Sequence, residues 1–269
     1  MIGVLFRRTI AANRVRLIAC IVGLAAWGAV LPLVYANFGK TIGTFIRNSN
    51  NPLLEQFASY GGGDLFSLTG AMALGFIHPI SIAILGVYFV GFPILSIVGE
   101  RQRGTLEVLL ARPISRHALY LVLLAVGALS MALLIAVQLG ASVLSAQLSG
   151  VGDELDVTYV PLVWGMGWLL AMAVMSITFA ASVSFDRVMP ALGVTLVFVL
   201  VSYLLEVVGS IWPSAAWVSD FSLFHYVRTK DLLHGQLHVF DICLLGGVML
   251  VAGAYSWIVF PRRDIAAPS

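Results

Sequence analysis

Charged positions divide the chain into long apolar intervals. Residues 17–39, 65–99, 117–152, 157–185, 188–205 and 242–261 contain no Asp, Glu, Lys or Arg. A membrane-crossing helix needs ~20 apolar residues to traverse ~30 Å of hydrocarbon. Each interval holds one span, and the second and third are too short for two. The pattern therefore predicts an all-α membrane protein with one transmembrane domain over residues 1–269. Its six helices fall near 17–38, 70–97, 118–146, 159–184, 189–210 and 240–260.

Two connections exceed what joining neighbouring spans requires. In 40–64, Ile42, Phe45, Ile46 and then Leu53, Leu54, Phe57 recur at helical spacing. Asn50, Asn51 and Pro52 separate the groups, and three glycines close the second. One or two short surface helices are expected after span one. Between spans five and six, Trp212, Trp217, Phe221, Phe224 and Tyr226 are aromatics suited to an interface. Pro213 ends the fifth span there, so a second short helical segment is expected.

Composition agrees with this pattern. The chain is 60% hydrophobic and 10% charged, with mean hydropathy +0.98. Soluble domains carry ~25% charged residues. An ordinary soluble enzyme and a disordered chain are thereby excluded. A net charge of +2 leaves no basic stripe for nucleic acid. Cys20 and Cys243 lie in apolar runs and form neither a disulfide framework nor a metal-ligand pattern.

The basic residues set the orientation. Arg7, Arg8, Arg14, Arg16, Arg101, Arg103, Arg112, Arg116, Arg187, Arg262 and Arg263 fall on the side shared by both termini. Only Lys40, Arg47, Arg228 and Lys230 fall on the other. Eleven against four places both termini in the cytoplasm. The basic, then apolar N-terminus reads as an uncleaved first span, because its apolar run exceeds the 7–15 residues of a signal core.

The most informative segment is 99–116, Gly-Glu-Arg-Gln-Arg-Gly-Thr-Leu-Glu-Val-Leu-Leu-Ala-Arg-Pro-Ile-Ser-Arg. Read as a helix, Leu106, Leu109 and Leu110 form an apolar stripe that faces lipid. Arg101, Thr105 and Arg112 point to the cytosol, and Arg103 can pair with Glu107. Pro113 stops this helix, and Ser115 is placed to cap the third span. Two readings stand: a topological loop with some helix, or a docking helix for a cytosolic partner. A loop alone could be much shorter.

Residues 100–116 closely resemble the signature of ABC-2 type ABC-transporter permeases, roughly E-x-x-R-G-T-L-x-x-L-L-x-x-P-x-S-R. Every fixed position is met. The chain departs from many relatives by carrying Arg101 and Gln102 after the first Glu, and by an apolar start to span three. The resemblance implies a permease that pairs with a second permease subunit, in a homodimer or heterodimer. Two copies of a cytosolic ABC ATPase would bind beneath, with ATP and Mg in the ATPase and no cofactor in this chain. The coupling helix would engage that ATPase through Glu100, Arg101, Arg103, Gly104, Thr105, Leu106, Glu107, Arg112, Pro113, Ser115 and Arg116. A multi-pass protein of a prokaryotic plasma (inner) membrane, exporting its cargo, is implied as well. The chain contains no G-x-x-x-x-G-K-[ST] loop of its own.

Few other residues suit a substrate path. His78, next to Pro79, and Glu206 are weak candidates. Glu206 falls near the outer interface and suits a snorkelling or locally paired carboxylate, as Asp241 suits an interfacial one. Pro79 and Pro93 are expected to kink the second span. His225, His234 and His238 suit surface histidines more than a metal site. Asp186 and Arg187 read as a local turn pair, with a second ATPase contact as the alternative. A secondary transporter or channel not driven by ATP is the competing function. Against it, the middles of spans one to four carry no Asp, Glu, Lys or Arg. A membrane-embedded enzyme is the third class; neither H-E-x-x-H nor G-x-S-x-G occurs.

Overall fold

The computed structural model of the chain describes residues 2–39, 67–106 and 114–263, together with Thr41, Thr44 and Asn48. Among these residues the secondary structure is entirely helical. Six helices are long and apolar enough to cross a membrane. In chain order the described α-helices of five or more residues are α1 (Ile2–Val34), α2 (Leu68–Ile77), α3 (Pro79–Phe89), α4 (Arg116–Leu148), α5 (Val160–Ser184), α6 (Val188–Ile211), α7 (Thr229–Leu233) and α8 (Val239–Arg262). The expected short helices in 40–64 lie outside the described residues. Those after span five are present as 3₁₀ segments Pro213–Phe221 and Phe224–Tyr226, followed by α7.

The first helix begins at Ile2 rather than near residue 17. Its arginines end the apolar run without ending the hydrogen-bond ladder. The second span also differs from the expected single helix. Pro at position 79 biases the residue before it to extended geometry, and His78 sits at φ −63°, ψ 145°. The helix breaks there into α2 and α3. His78 turns its ring back to cap α3 by accepting from the Ile80 N–H at 3.3 Å. Trp27 Nε1 (2.9 Å) and Gln138 Nε2 (3.2 Å) both donate to the Gly75 carbonyl beside the break.

Below α3 the chain stays helical through Gly91–Ile94, a π-helical stretch Leu95–Gly99, and Glu100–Gln102. Pro93 contributes no N–H to this ladder. Ser182 of α5 repairs the irregular backbone. Its Oγ donates to the Pro93 carbonyl at 3.0 Å and accepts from the Val98 N–H at 3.3 Å. This is how membrane helices accommodate proline: a neighbour's hydroxyl satisfies the freed groups.

Apolar burial cannot hold helices together in lipid as it does in water, so close backbone approach matters more. α1 and α4 run parallel and nearly touch at Gly28. A Cβ there would lie 2.4 Å from the Gln138 carbonyl oxygen. Ser142 and Ser145 of α4 donate to the Gly28 and Ala29 carbonyls at 2.8 and 2.7 Å. α5 is central, with Phe179 fully buried between Phe92 and Tyr120. Val22, Val197, Leu200, Leu250 and Val251 project outward from α1, α6 and α8.

Both ends of the described chain lie at one end of the bundle. Leu5 and Leu119 line one cleft there, and Arg116 at the start of α4 donates to the Arg263 carbonyl at 2.8 Å. At the opposite end Tyr35 donates to Glu154.

Candidate functional site

The described parts of the signature run, 100–106 and 114–116, sit at the basic end, between α3 and α4. The helix that continues α3 stops at Gly104, which takes φ +71°. Left-handed geometry suits glycine because no Cβ meets the backbone. The Gly104 N–H returns to the Arg101 carbonyl at 2.9 Å. Thr105 Oγ1 donates to Glu100 Oε2 at 2.6 Å, across this turn. Arg103 pairs with Glu100 at 3.5 Å and is 59% exposed. Ser115 accepts from the Ala118 N–H at 3.1 Å and so caps α4. Glu107, Leu109, Leu110, Arg112 and Pro113 lie outside the described residues, as does the Arg103–Glu107 pair.

Two side-chain directions differ from the sequence reading. Arg101 is 3% exposed and does not face the cytosol. Its Nη1 donates to the Phe185 carbonyl at 3.2 Å and to Asp186 Oδ1 at 3.3 Å. Leu106 is fully buried and does not face lipid. The helical wheel failed for one reason: the helix carrying Arg101 ends at Gly104, so residues on either side do not share one face.

Asp186 is correspondingly not a turn partner of Arg187. The same Oδ1 that meets Arg101 also receives Arg263 Nη2 at 2.9 Å. Arg263 Nη1 donates to the Val183 carbonyl as well. Arg116 donates to the carbonyls of Pro261 (3.0 Å) and Arg263 (2.8 Å). Gln102, which sequence reasoning passed over, accepts from the Val188 N–H at 2.9 Å. It caps α6, whose own preceding residue, Arg187, makes no side-chain cap. The two flanks of the signature run are thus fastened to different elements. Arg101 and Gln102 hold the α5–α6 turn, and Arg116 holds the end of α8. No motif signals these contacts; the one clue is that Asp186 is the single acid in the turn between α5 and α6.

The weak substrate-path candidates lie apart from this site. His78 is occupied as a helix cap, with its ring 4.7 Å from that of Trp27. Glu206 is a paired carboxylate near the opposite end of α6. It lies 3.3 Å from His225 Nδ1 and accepts from Ser210 at 3.3 Å. The two residues border a cavity of about 340 Å³ with Arg228 and Lys230. The Glu206 hydrogen bond raises the His225 pKa above its ordinary value, and the Glu206 charge adds to that. Asp241 is buried and paired with Arg228 at 3.2 Å. His238 faces Asp231 and His234 faces the Lys230 carbonyl. Among the described residues no three metal-ligating side chains converge.

A family model for ABC-2 family transporter proteins matches residues 6–265. The chain belongs to that family. As an ABC-2 protein it is a multi-pass membrane component of an ABC transporter, and it is not itself catalytic. Association with an ABC ATPase is what this membership implies. No curated protein matches the chain.

Proposed function

We propose that the chain is the permease of an ATP-driven exporter in a prokaryotic plasma membrane, with both termini in the cytoplasm. It works as a single transmembrane domain, paired with a second permease subunit. Each permease seats one copy of a separate ATPase, where ATP and Mg reside. The signature run is the coupling element. One observation carries this reading: the run lies at the arginine-rich end, with its flanks clamped to α5, α6 and α8 and Arg103 left exposed. A push on Glu100 or Arg103 would therefore reach three spans at once, as rigid-body transitions require. The apolar interior suits a lipidic or otherwise hydrophobic cargo.

The test is a Glu100→Ala, Arg103→Ala double variant expressed with its ATPase. It is expected to insert normally and to lose transport, with partner binding lost or ATP hydrolysed unproductively. Removing one side of an interfacial charge pair costs ~2–5 kcal/mol, enough to be seen in co-purification. Full transport by the double variant would reduce the run to a topological loop.

A further inference from the structure

A cleft of about 180 Å³ opens at the basic end between α1, the continuation of α3, and α4. Arg8 and Arg16 of α1 and Arg103 enter it, with Thr9, Asn13 and Ser96 beside them. Its floor is apolar, built from Leu5, Leu95, Leu119 and Leu123. Glu100 is its one acid, already engaged by Arg103 and Thr105. Arg16 donates to Asn13 Oδ1 at 2.9 Å. Among the described residues, no carboxylate lies within ion-pair reach of Arg8 or Arg16. Three guanidinium groups against one carboxylate leave a surplus of two positive charges around a partly apolar hollow. An anion with an apolar body matches both properties.

Depth narrows the choice. Arg16 is the last charged residue before the uncharged stretch 17–39. It therefore marks the boundary between hydrocarbon and headgroups. Arg8 stands roughly 12 Å further out along the axis, yet both side chains reach the same cleft. Val15 and Val22 of α1, on the flank of the helix next to Arg8, are exposed and offer a surface for acyl chains. Basic pockets between membrane helices at the cytoplasmic face are where anionic headgroups bind.

We propose that this cleft binds the phosphate headgroup of an anionic phospholipid, pinning the extended start of α1 against the continuation of α3 and against α4. The site is independent of the ATPase reading and stands or falls separately from it. The bound lipid would fix the cationic wall beside Glu100, so the lipid composition would set the geometry of the coupling segment.

The test uses the full-length chain, purified and delipidated in neutral detergent. Phosphatidylglycerol or phosphatidylcholine is added back, with lipid adducts read by native mass spectrometry and stability by thermal unfolding. Phosphatidylglycerol is expected to form a defined adduct and raise the midpoint, and phosphatidylcholine to do neither. An Arg8→Gln, Arg16→Gln variant should bind roughly 30-fold more weakly, at about 1 kcal/mol per arginine. Arg16→Lys should keep most of the binding, which separates lost charge from lost fold. An Arg7→Gln, Arg14→Gln variant, with equal charge loss off the cleft, should bind like the parent. Equal weakening by both double variants would overturn the site in favour of diffuse charge. Stabilisation by millimolar inorganic phosphate that matches the lipid would assign the cleft to a soluble phosphate instead. Intact lipid binding with lost ATPase co-purification in the Arg8, Arg16 variant would make it a protein contact and overturn the proposal.

Discussion

Arg101 and Asp186 meet at 3.3 Å across the gap between the second span and the turn joining the fourth and fifth, and Arg263 reaches the same carboxylate oxygen at 2.9 Å. The arginine is buried while the aspartate is largely open to solvent. The contact is therefore asymmetric: loss of the arginine strands the part-buried Phe185 carbonyl, whereas loss of the acid's charge is cushioned by water.

That asymmetry is measurable. Arg101→Ala should destabilise the chain by ~1 kcal/mol or more, since a part-buried acceptor loses its partner and a buried side chain is removed. Asp186→Asn should cost less, since exposed ion pairs contribute ~0–1 kcal/mol. Thermal unfolding of both variants in one detergent gives the ranking. A larger loss for Asp186→Asn would contradict it.

Gly104 invites a backbone test. A Cβ there has open space around it, so Gly104→Ala meets no steric clash. Only the left-handed φ is penalised, at ~1–2 kcal/mol. Gly104→Asn should recover part of that, because asparagine tolerates this geometry. Transport coupling, measured as cargo moved per ATP, should follow the order Gly, Asn, Ala. Equal coupling in all three would mean the turn is not needed in this shape.

His225 sets a pH dependence at the opposite end. It faces Glu206, Asp220 and Arg228, and its pKa is raised chiefly by the Glu206 hydrogen bond. A raised pKa means that protonation favours the folded arrangement. The stabilisation is complete below the ordinary value of 6.5 and fades as pH climbs through the raised one. The segment 213–226 should therefore be held to α6 more firmly in acid. Thermal midpoints across pH 6 to 9 should fall with rising pH, and Glu206→Gln should flatten that fall. A midpoint that rises with pH would mean that protonated His225 does not stabilise the fold.

Orientation can be checked by cysteine labelling of intact cells, with the exposed Cys243 first replaced by serine. Ser149→Cys should react with an impermeant maleimide and Ser115→Cys should not. Reaction at 115 from outside would invert the topology.

The six spans were legible because the bilayer writes them as uncharged stretches, whatever the local packing. Helix boundaries were less so. Arg7 to Arg16 mark where lipid ends, and the helix does not stop there, since water and headgroups leave an existing ladder intact. The break at His78 is invisible to hydropathy but was available in the dipeptide His78-Pro79, whose first residue avoids helical geometry. Ser115 as a cap followed from its position before an apolar run. Arg101 and Gln102 could not be placed, because their partners lie on a turn some 85 residues away in sequence. Periodicity reports which face a residue occupies, not which turn packs against it.

The break at His78 and the irregular turn after Pro93, which the Ser182 hydroxyl fastens to the fourth span, make the second span an articulated strut rather than a rod. A strut jointed at Pro93 and again at His78 transmits axial thrust poorly. Under the proposed coupling, load applied at Glu100 would be shed sideways, through Ser182, Arg101 and Gln102, into the fourth, fifth and sixth spans before it could climb the second. The outer half of the second span, beyond its joints, would then stay still while the bundle around its foot was driven.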